Sequence, residues 1–436
     1  MASEKKAWII SVDMGYGHQR AAYPLKDIAY ERIITANSDK IVTPKEKKQW
    51  QRLQAYYEGL SRFSSHPLLK YVWKAYDKFQ SISPYYPFRD LSKPTLGSML
   101  THRLIRKNFV RSVVDYVKIK KAPIVSTFFA PALAAAHAGT KDVYCVVTDT
   151  DINRVWAPEF PKKDRIYYLT PTEHSTRRLA EYGVPKENIF FTGFPLPKEN
   201  TGRDMEILRK DIGRRLPNLD PKKAYAKRHM GIVKKWLGKD YRTRSDHPLT
   251  LTFVIGGAGA QKEIGGEILK SLREKIKKHE LRLNLIAGTH FEIYNYFRSL
   301  ISELGLEAEY GTYVNVLCEL DKRTHFEKFN QLLHTTDIIW TKPSELCFYT
   351  ALGLPIIISP PIGAHEKFNE QWLTMMGTGF AQEDPRFVNE WLFEWLDDGF
   401  LAEGAWQGFT EAPKYGTYNI EAIVFSKNKK DVKLRY

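Results

Sequence analysis

An α/β architecture of two Rossmann-like parallel-sheet domains facing each other across a cleft is expected for this chain, on three observations. At 436 residues it exceeds what one ordinary core covers, so two domains are the natural division. Each half opens on an apolar strand that runs through a glycine turn into a helix. The first unit is Ala7–Ile10 followed by Ser11-Val12-Asp13-Met14-Gly15-Tyr16-Gly17-His18; the second is Thr250–Ile255 followed by Gly256-Gly257-Ala258-Gly259-Ala260-Gln261. Strand and helix signals then alternate at short spacing in both halves, which demands parallel strands covered on both faces.

In order along the chain, strands are expected at Ala7–Val12, Pro123–Thr127, Val143–Thr148, Arg165–Leu169 and Ile189–Phe191. Helices should begin near His18 and cover Glu173–Tyr182, the latter stopped by Gly183. Gly193-Phe194-Pro195 closes this pattern and suits a domain exit. The second half repeats it, with expected strands Leu249–Ile255, Leu281–Ala287, Val314–Leu317, Asp337–Trp340 and Pro355–Ser359. Its expected helices fall near Lys262–Lys278, Phe291–Leu304, Phe326–His334, Ser344–Leu352 and Glu366–Met376. The resulting division is an N-terminal domain over 1–200, a basic linker or insertion over 201–248 and a C-terminal domain over 249–384. Helices over 385–436 are expected to cross back onto the first domain.

Composition narrows the function classes. The hydrophobic share of 43% is ordinary for a globular chain. No apolar run reaches the roughly 20 residues of a spanning helix; the nearest, Ala122–Gly139, is broken by Pro131. The first strand follows Met-Ala-Ser-Glu-Lys-Lys directly, leaving no room for a signal peptide, and three scattered cysteines form neither a metal spacing nor a disulfide framework. A cytoplasmic location is expected. The formal net charge of +16 points to an anionic partner. Between Arg203 and Asp246 there are 14 Lys/Arg against six Asp/Glu, half of the excess. No zinc spacing, RNA-binding aromatic signature or basic coiled coil accompanies it, so nucleic acid is not the expected partner. The stretch Trp50–Phe88, near 50–90, interleaves aromatics such as Tyr71 and Trp73 with Lys70, Lys74 and Lys78. That mixture suits the headgroup layer of a membrane, or an ordinary helical insertion whose rings pack on the domain.

The run Asp13-Met14-Gly15-Tyr16-Gly17-His18-Gln19-Arg20-Ala21-Ala22 resembles the Gly-x-Gly-His-x-x-Ala-Ala opening of glycosyltransferase family 28. The nearest resemblance within it is to processive diacylglycerol glucosyltransferases and monogalactosyldiacylglycerol synthases. Val147-Thr148-Asp149, Trp156, Tyr168 and Gly193-Phe194-Pro195-Leu196 continue it in order, as do Thr341-Lys342-Pro343, Gly353-Leu354-Pro355 and Glu366-Lys367-Phe368-Asn369. Departures are Asn153 where these enzymes usually carry His, and Ala258 in the glycine loop. Ser344-Glu345-Leu346 replaces a Gly-Gly-x-Thr segment, and His365-Glu366 replaces a Gln-Glu pair.

The resemblance implies a GT-B fold and an inverting, metal-independent transfer of a hexose from a UDP-sugar to a lipid hydroxyl at the cytoplasmic membrane face. The UDP-sugar is a co-substrate, and no separate cofactor is implied. The acceptor is expected against Gly15, Gly17, Trp156, Tyr71 and Trp73. Amides over Gly256, Gly257, Ala258 and Gly259 would receive the diphosphate, with Lys342 adding charge. The family's ribose-binding Glu falls on Phe348 here; Glu345, about one helical turn earlier, is expected to hold the ribose in its place or else to cap the helix. Ser344 is expected on the donor side, and His365, Glu366 and Asn369 at the sugar. His18 is the first candidate for general base, in a helix first turn whose dipole favours the neutral imidazole; Asp149 is its rival or partner, with Asp13 third. A UDP-sugar epimerase of the same architecture, or an inactive nucleotide-sugar-binding protein, are the competing readings.

Overall fold

The computed structural model describes residues 5–62, 82–256, 259, 261–361 and 364–436. The chain divides into two units. The first comprises Met1–Pro195, Ile362–Phe368 and Tyr415–Tyr436; the second comprises Leu196–Pro361 and Asn369–Lys414.

In the first unit six strands form one parallel sheet: β1 (Ala7–Ser11), β2 (Ala29–Thr35), β3 (Ile124–Ser126), β4 (Val143–Val146), β5 (Tyr167–Thr170) and β6 (Ile189–Phe191), in the order β2-β1-β3-β4-β5-β6. Strand β1 alternates strictly. Trp8 and Ile10 point into a core with Val113, Val114, Ala132 and Leu133, while Ala7 and Ile9 point into another with Leu25, Ile420, Ile423 and Val424. The last three belong to the helix Gly416–Phe425, so the end of the chain supplies the cover for one face of the sheet. Its Asn419 Nδ2 donates to Thr192 O at 2.9 Å. A parallel sheet needs both faces covered, which is why the chain returns here. The rejoining stretch is Tyr415–Tyr436; the helices Val388–Asp397 and Phe400–Glu411 stay with the second unit.

The second unit holds β7 (Leu249–Val254), β8 (Leu281–Gly288), β9 (Val314–Cys318), β10 (Ile338–Thr341), β11 (Ile356–Ile358) and β12 (Gly379–Ala381), all parallel, ordered β12-β11-β10-β7-β8-β9. Both sheets therefore reverse direction beside their first strand, between β1 and β3 and between β7 and β10. Ligands of open α/β sheets bind outside the carboxyl ends of the strands at such a reversal. The two units are Rossmann-like.

The stretch expected as a basic linker folds instead as helices Glu206–Leu219 and Ala224–Leu237 of the second unit. The first buries Leu208, Ile212 and Leu219. With them goes Arg215, whose guanidinium donates to the carbonyls of Thr336 (2.7 Å), Leu352 (2.6 Å), Gly353 (3.2 Å) and Leu333 (3.2 Å). A buried charge persists only when hydrogen-bonded this fully. Among the described residues no helix is long and apolar enough to cross a membrane.

Candidate active site

In the first unit, Gly15 precedes the helix Tyr16–Ala22, which contains Gly17 and His18. Two bonds clamp the turn ahead of it: the Asn37 side chain accepts from Asp13 N–H (2.8 Å) and donates to Asp13 O (2.9 Å). Asp13 thus has its main chain fixed by a neighbouring side chain. His18 reaches across the sheet reversal. Its Nδ1 lies 2.7 Å from Thr127 O, just beyond β3, and 3.2 Å from Thr148 Oγ1, just beyond β4. Thr127 Oγ1 donates back to His18 O at 2.8 Å. A carbonyl can only accept, so the neutral imidazole carries its proton on Nδ1 and its lone pair on Nε2.

Aromatic rings wall the imidazole. Phe128 meets it edge-on with centroids 4.8 Å apart, and Trp156 lies 6.3 Å away. Phe129 is 5.5 Å from Trp156. Trp156 thus stands beside His18, and its own carbonyl accepts from Tyr168 OH at 2.6 Å. Asn153 caps the turn Arg154–Trp156, its Oδ1 accepting from Val155 N–H at 3.3 Å, which gives the substituted position a structural job.

Asp149 is half-buried on the segment that follows β4, next to Thr148. That segment is pinned two residues on by Asp151, a group that sequence reasoning passed over. Arg178 forks onto its carboxylate through Nε (2.8 Å) and Nη2 (2.6 Å), and His174 Nε2 lies 2.9 Å away. Burial pushes the Asp151 carboxyl up, but the bonds from Arg178 and His174 outweigh it and hold the group below the ordinary carboxylate range. Thr127, Phe128 and Thr148 were not named as site residues; Thr127 and Thr148 end expected strands, Phe128 follows one, and Thr148 stands in the quoted Val147-Thr148-Asp149 motif.

In the second unit the reversal between β7 and β10 brings Gly256 against Lys342. A Cβ at 256 would collide with the Lys342 Cε, so glycine is what lets the lysine cross the end of β7. Gly259, at φ +71°, closes a turn by donating to Gly256 O at 2.9 Å. That amide is therefore spent within the turn. Gln261 starts the helix Lys262–Ser271, and its Nε2 donates to Pro360 O at 2.9 Å, tying the turn to the segment after β11. The loop beyond β10 is tied as firmly. Ser344 N–H donates to Lys342 O (2.7 Å), Cys347 N–H to Ser344 O (3.0 Å), and Asn369 Nδ2 to Pro343 O (3.1 Å). Glu345, buried, opens the 3₁₀ helix Glu345–Leu352 that follows. Lys342, Ser344, Glu345 and Asn369 thus gather on one loop and its support. Glu366, also buried, lies one turn before Asn369 on the helix Ala364–Met375 and counts with the first unit. Of His365 only the backbone is described. Gly257, Ala258, Tyr71 and Trp73 lie outside the described residues.

Chemically, the first unit offers an imidazole whose Nδ1 is tied to a carbonyl, beside an aromatic wall. The second offers a lysine, a glycine turn at a helix start and, three residues after the lysine, a buried carboxylate. Among the described residues no three His, Cys, Asp or Glu side chains gather as a metal site.

The comparisons with known proteins agree with the motifs. Residues 237–386 match a family described as Domain of unknown function (DUF6938). The chain is 21% identical over 395 residues to the processive diacylglycerol beta-glucosyltransferase of Bacillus subtilis, covering 87% of this chain and 84% of that one. To the enzyme of the same name from Bacillus pumilus it is 23% identical over 393 residues, with the same two shares. Among solved structures, the UDP co-structure of S. aureus MnaA covers 79% of this chain and 83% of that chain at 14% identity, with a TM-score of 0.45.

Proposed function

We propose that this chain is an inverting, metal-independent glycosyltransferase that moves a hexose from a UDP-sugar to a lipid hydroxyl, working as a peripheral protein on the cytoplasmic face of the membrane. The observation that carries the reading is the His18 tautomer: with Nδ1–H committed to Thr127 O, Nε2 is the proton acceptor. The acceptor hydroxyl gives its proton to Nε2 while its oxygen attacks the anomeric carbon. The bond from that carbon to the diphosphate oxygen breaks, UDP departs, and the centre inverts. Lys342 and the turn at Gly256 stabilise the charge that grows on the diphosphate. Glu345 holds the ribose hydroxyls by two hydrogen bonds, while Asn369 keeps the Lys342–Ser344 loop in place through Pro343 O.

Two further observations support a lipid acceptor. The relatives that span most of the chain carry diacylglycerol in their names. In the first unit, helix Leu96–Arg106 buries Gly97, Ser98, His102 and Ile105 while exposing Leu96, Leu100 and Leu104 at helical spacing, with Arg103 among them. Such an apolar and basic face belongs at a lipid surface.

The test incubates the full chain with UDP-glucose, UDP-galactose or UDP-N-acetylglucosamine, with and without lipid extract. UDP release that depends on lipid is the expected result. Isomerised sugar without UDP release, or binding without any turnover, would overturn the reading.

A further inference from the structure

The basic segment of the second unit is not consumed by the chemistry above. From Lys222 to Arg244 it has nine Lys or Arg and a single acid, Asp240. Helix Ala224–Leu237 within it buries Tyr225, Val233 and Leu237. Its start is preformed: the Asp220 carboxylate accepts from Tyr225 N–H (3.1 Å) and Ala226 N–H (2.7 Å). On the outward side Ile232 is 55% and Trp236 51% exposed, four residues apart and so stacked one turn above the other. Exposed Arg228 and Lys235 fall on the same side by spacing. The nearest acid to Arg228, Glu403 at 3.7 Å, is itself more than half exposed and holds it weakly.

We propose that this face of Ala224–Leu237 docks the second unit on an anionic phospholipid bilayer. Trp236 and Ile232 enter the boundary between headgroups and acyl chains, and Arg228 and Lys235 pair with lipid phosphates. The dense positive charge selects an anionic surface. The isoleucine and indole beside it select a bilayer over a nucleic acid, because an aliphatic side chain gains nothing from phosphates and bases but is relieved of water in lipid. The proposal rests on the lipid-acceptor reading for its purpose, but binding is scored without any sugar donor, so the two fail separately.

The experiment sediments the full chain with phosphatidylcholine vesicles, with and without phosphatidylglycerol. Binding only to the anionic vesicles, weakened by salt, is expected. The pair Arg228→Gln and Lys235→Gln should weaken it on the order of twentyfold, from about fivefold per basic residue near a charged surface. The pair Ile232→Ser and Trp236→Ser should weaken it several-fold, with melting temperatures unchanged because all four side chains are exposed. Brominated lipid should quench tryptophan fluorescence in the parent and much less in Trp236→Phe, a readout independent of any damaged variant. Equal binding by parent and variants, no quenching difference, or variants that lose only RNA binding would overturn the surface. Glycosylation of detergent-dispersed lipid without vesicle binding would overturn this surface alone. Vesicle binding without any transfer would overturn the transferase reading alone.

Discussion

At His18 one hydrogen bond selects the tautomer of the neutral ring. Because Thr127 O fixes the proton on Nδ1, His18→Ala should lower kcat by ~10²-fold or more, the usual weight of general-base help, while the donor's dissociation constant holds. Turnover undiminished in that variant would move the role to Asp149. Asp151 carries a different load. Its carboxyl is held below the ordinary range, so its contribution to stability is full above that range and is lost as pH falls through its depressed value. Arg178→Met strands the buried carboxylate and should cost ~3–5 kcal/mol near neutral pH. The variant's melting temperature should then fall less steeply on acidification than the parent's, which circular dichroism melts across pH would show. Equal stability of the two proteins at neutral pH would refute this. The place of His18 at a helix start was legible from its glycine turn, but the burial of Asp151 was not, since nothing in a sequence marks which carboxylates are buried. Trp50, at the start of the aromatic stretch read as membrane-facing or as packing on the domain, packs in the core 4.6 Å from Phe109.

Strands announced themselves where apolar residues run together, as in β1, β4, β7 and β8. The edge strands β6 and β9 were read too, but β2 and β12 were not. In β2 the apolar run is interrupted by exposed Glu31 and by Arg32, which pairs with Asp39 at 2.9 Å, and β12 spans only Gly379–Ala381. Helix starts slipped where a cap was overlooked: Asp321 accepts from Thr324 N–H at 2.8 Å and begins the helix at Lys322, before the apolar pattern does. The basic linker was misread because net charge hides Arg215, whose donors are absorbed by four carbonyls. The glycine turn of the second unit, by contrast, was readable, and its reason is now physical. Gly256→Ala should displace the flexible Lys342 side chain at little cost to stability, yet raise the donor's dissociation constant roughly tenfold by moving a charge-assisted contact. Calorimetric titration with UDP beside a thermal melt checks this. Unchanged affinity would show that Lys342 does not touch the diphosphate.

Across the chain, two parallel six-stranded sheets of different strand order each place their candidate chemistry where that order reverses. His18 bridges β1 and β3, and Gly256 meets Lys342 between β7 and β10. The repetition was visible in the sequence as two strand–glycine–helix starts. The return of Tyr415–Tyr436 to the first unit depends on which sheet face lacks a cover, which only the folded chain reveals. Relatives named for diacylglycerol glucosylation run through most of the length, and the surplus of 66 Lys/Arg over 50 Asp/Glu is suited to anionic lipid. The most direct measurement is mass spectrometry of lipids from cells expressing the parent chain or His18→Ala. The parent should yield a hexosylated lipid absent from untransformed cells, and His18→Ala should yield little or none. A lipid profile identical in parent, variant and untransformed cells, with both proteins folded and abundant, would contradict the account.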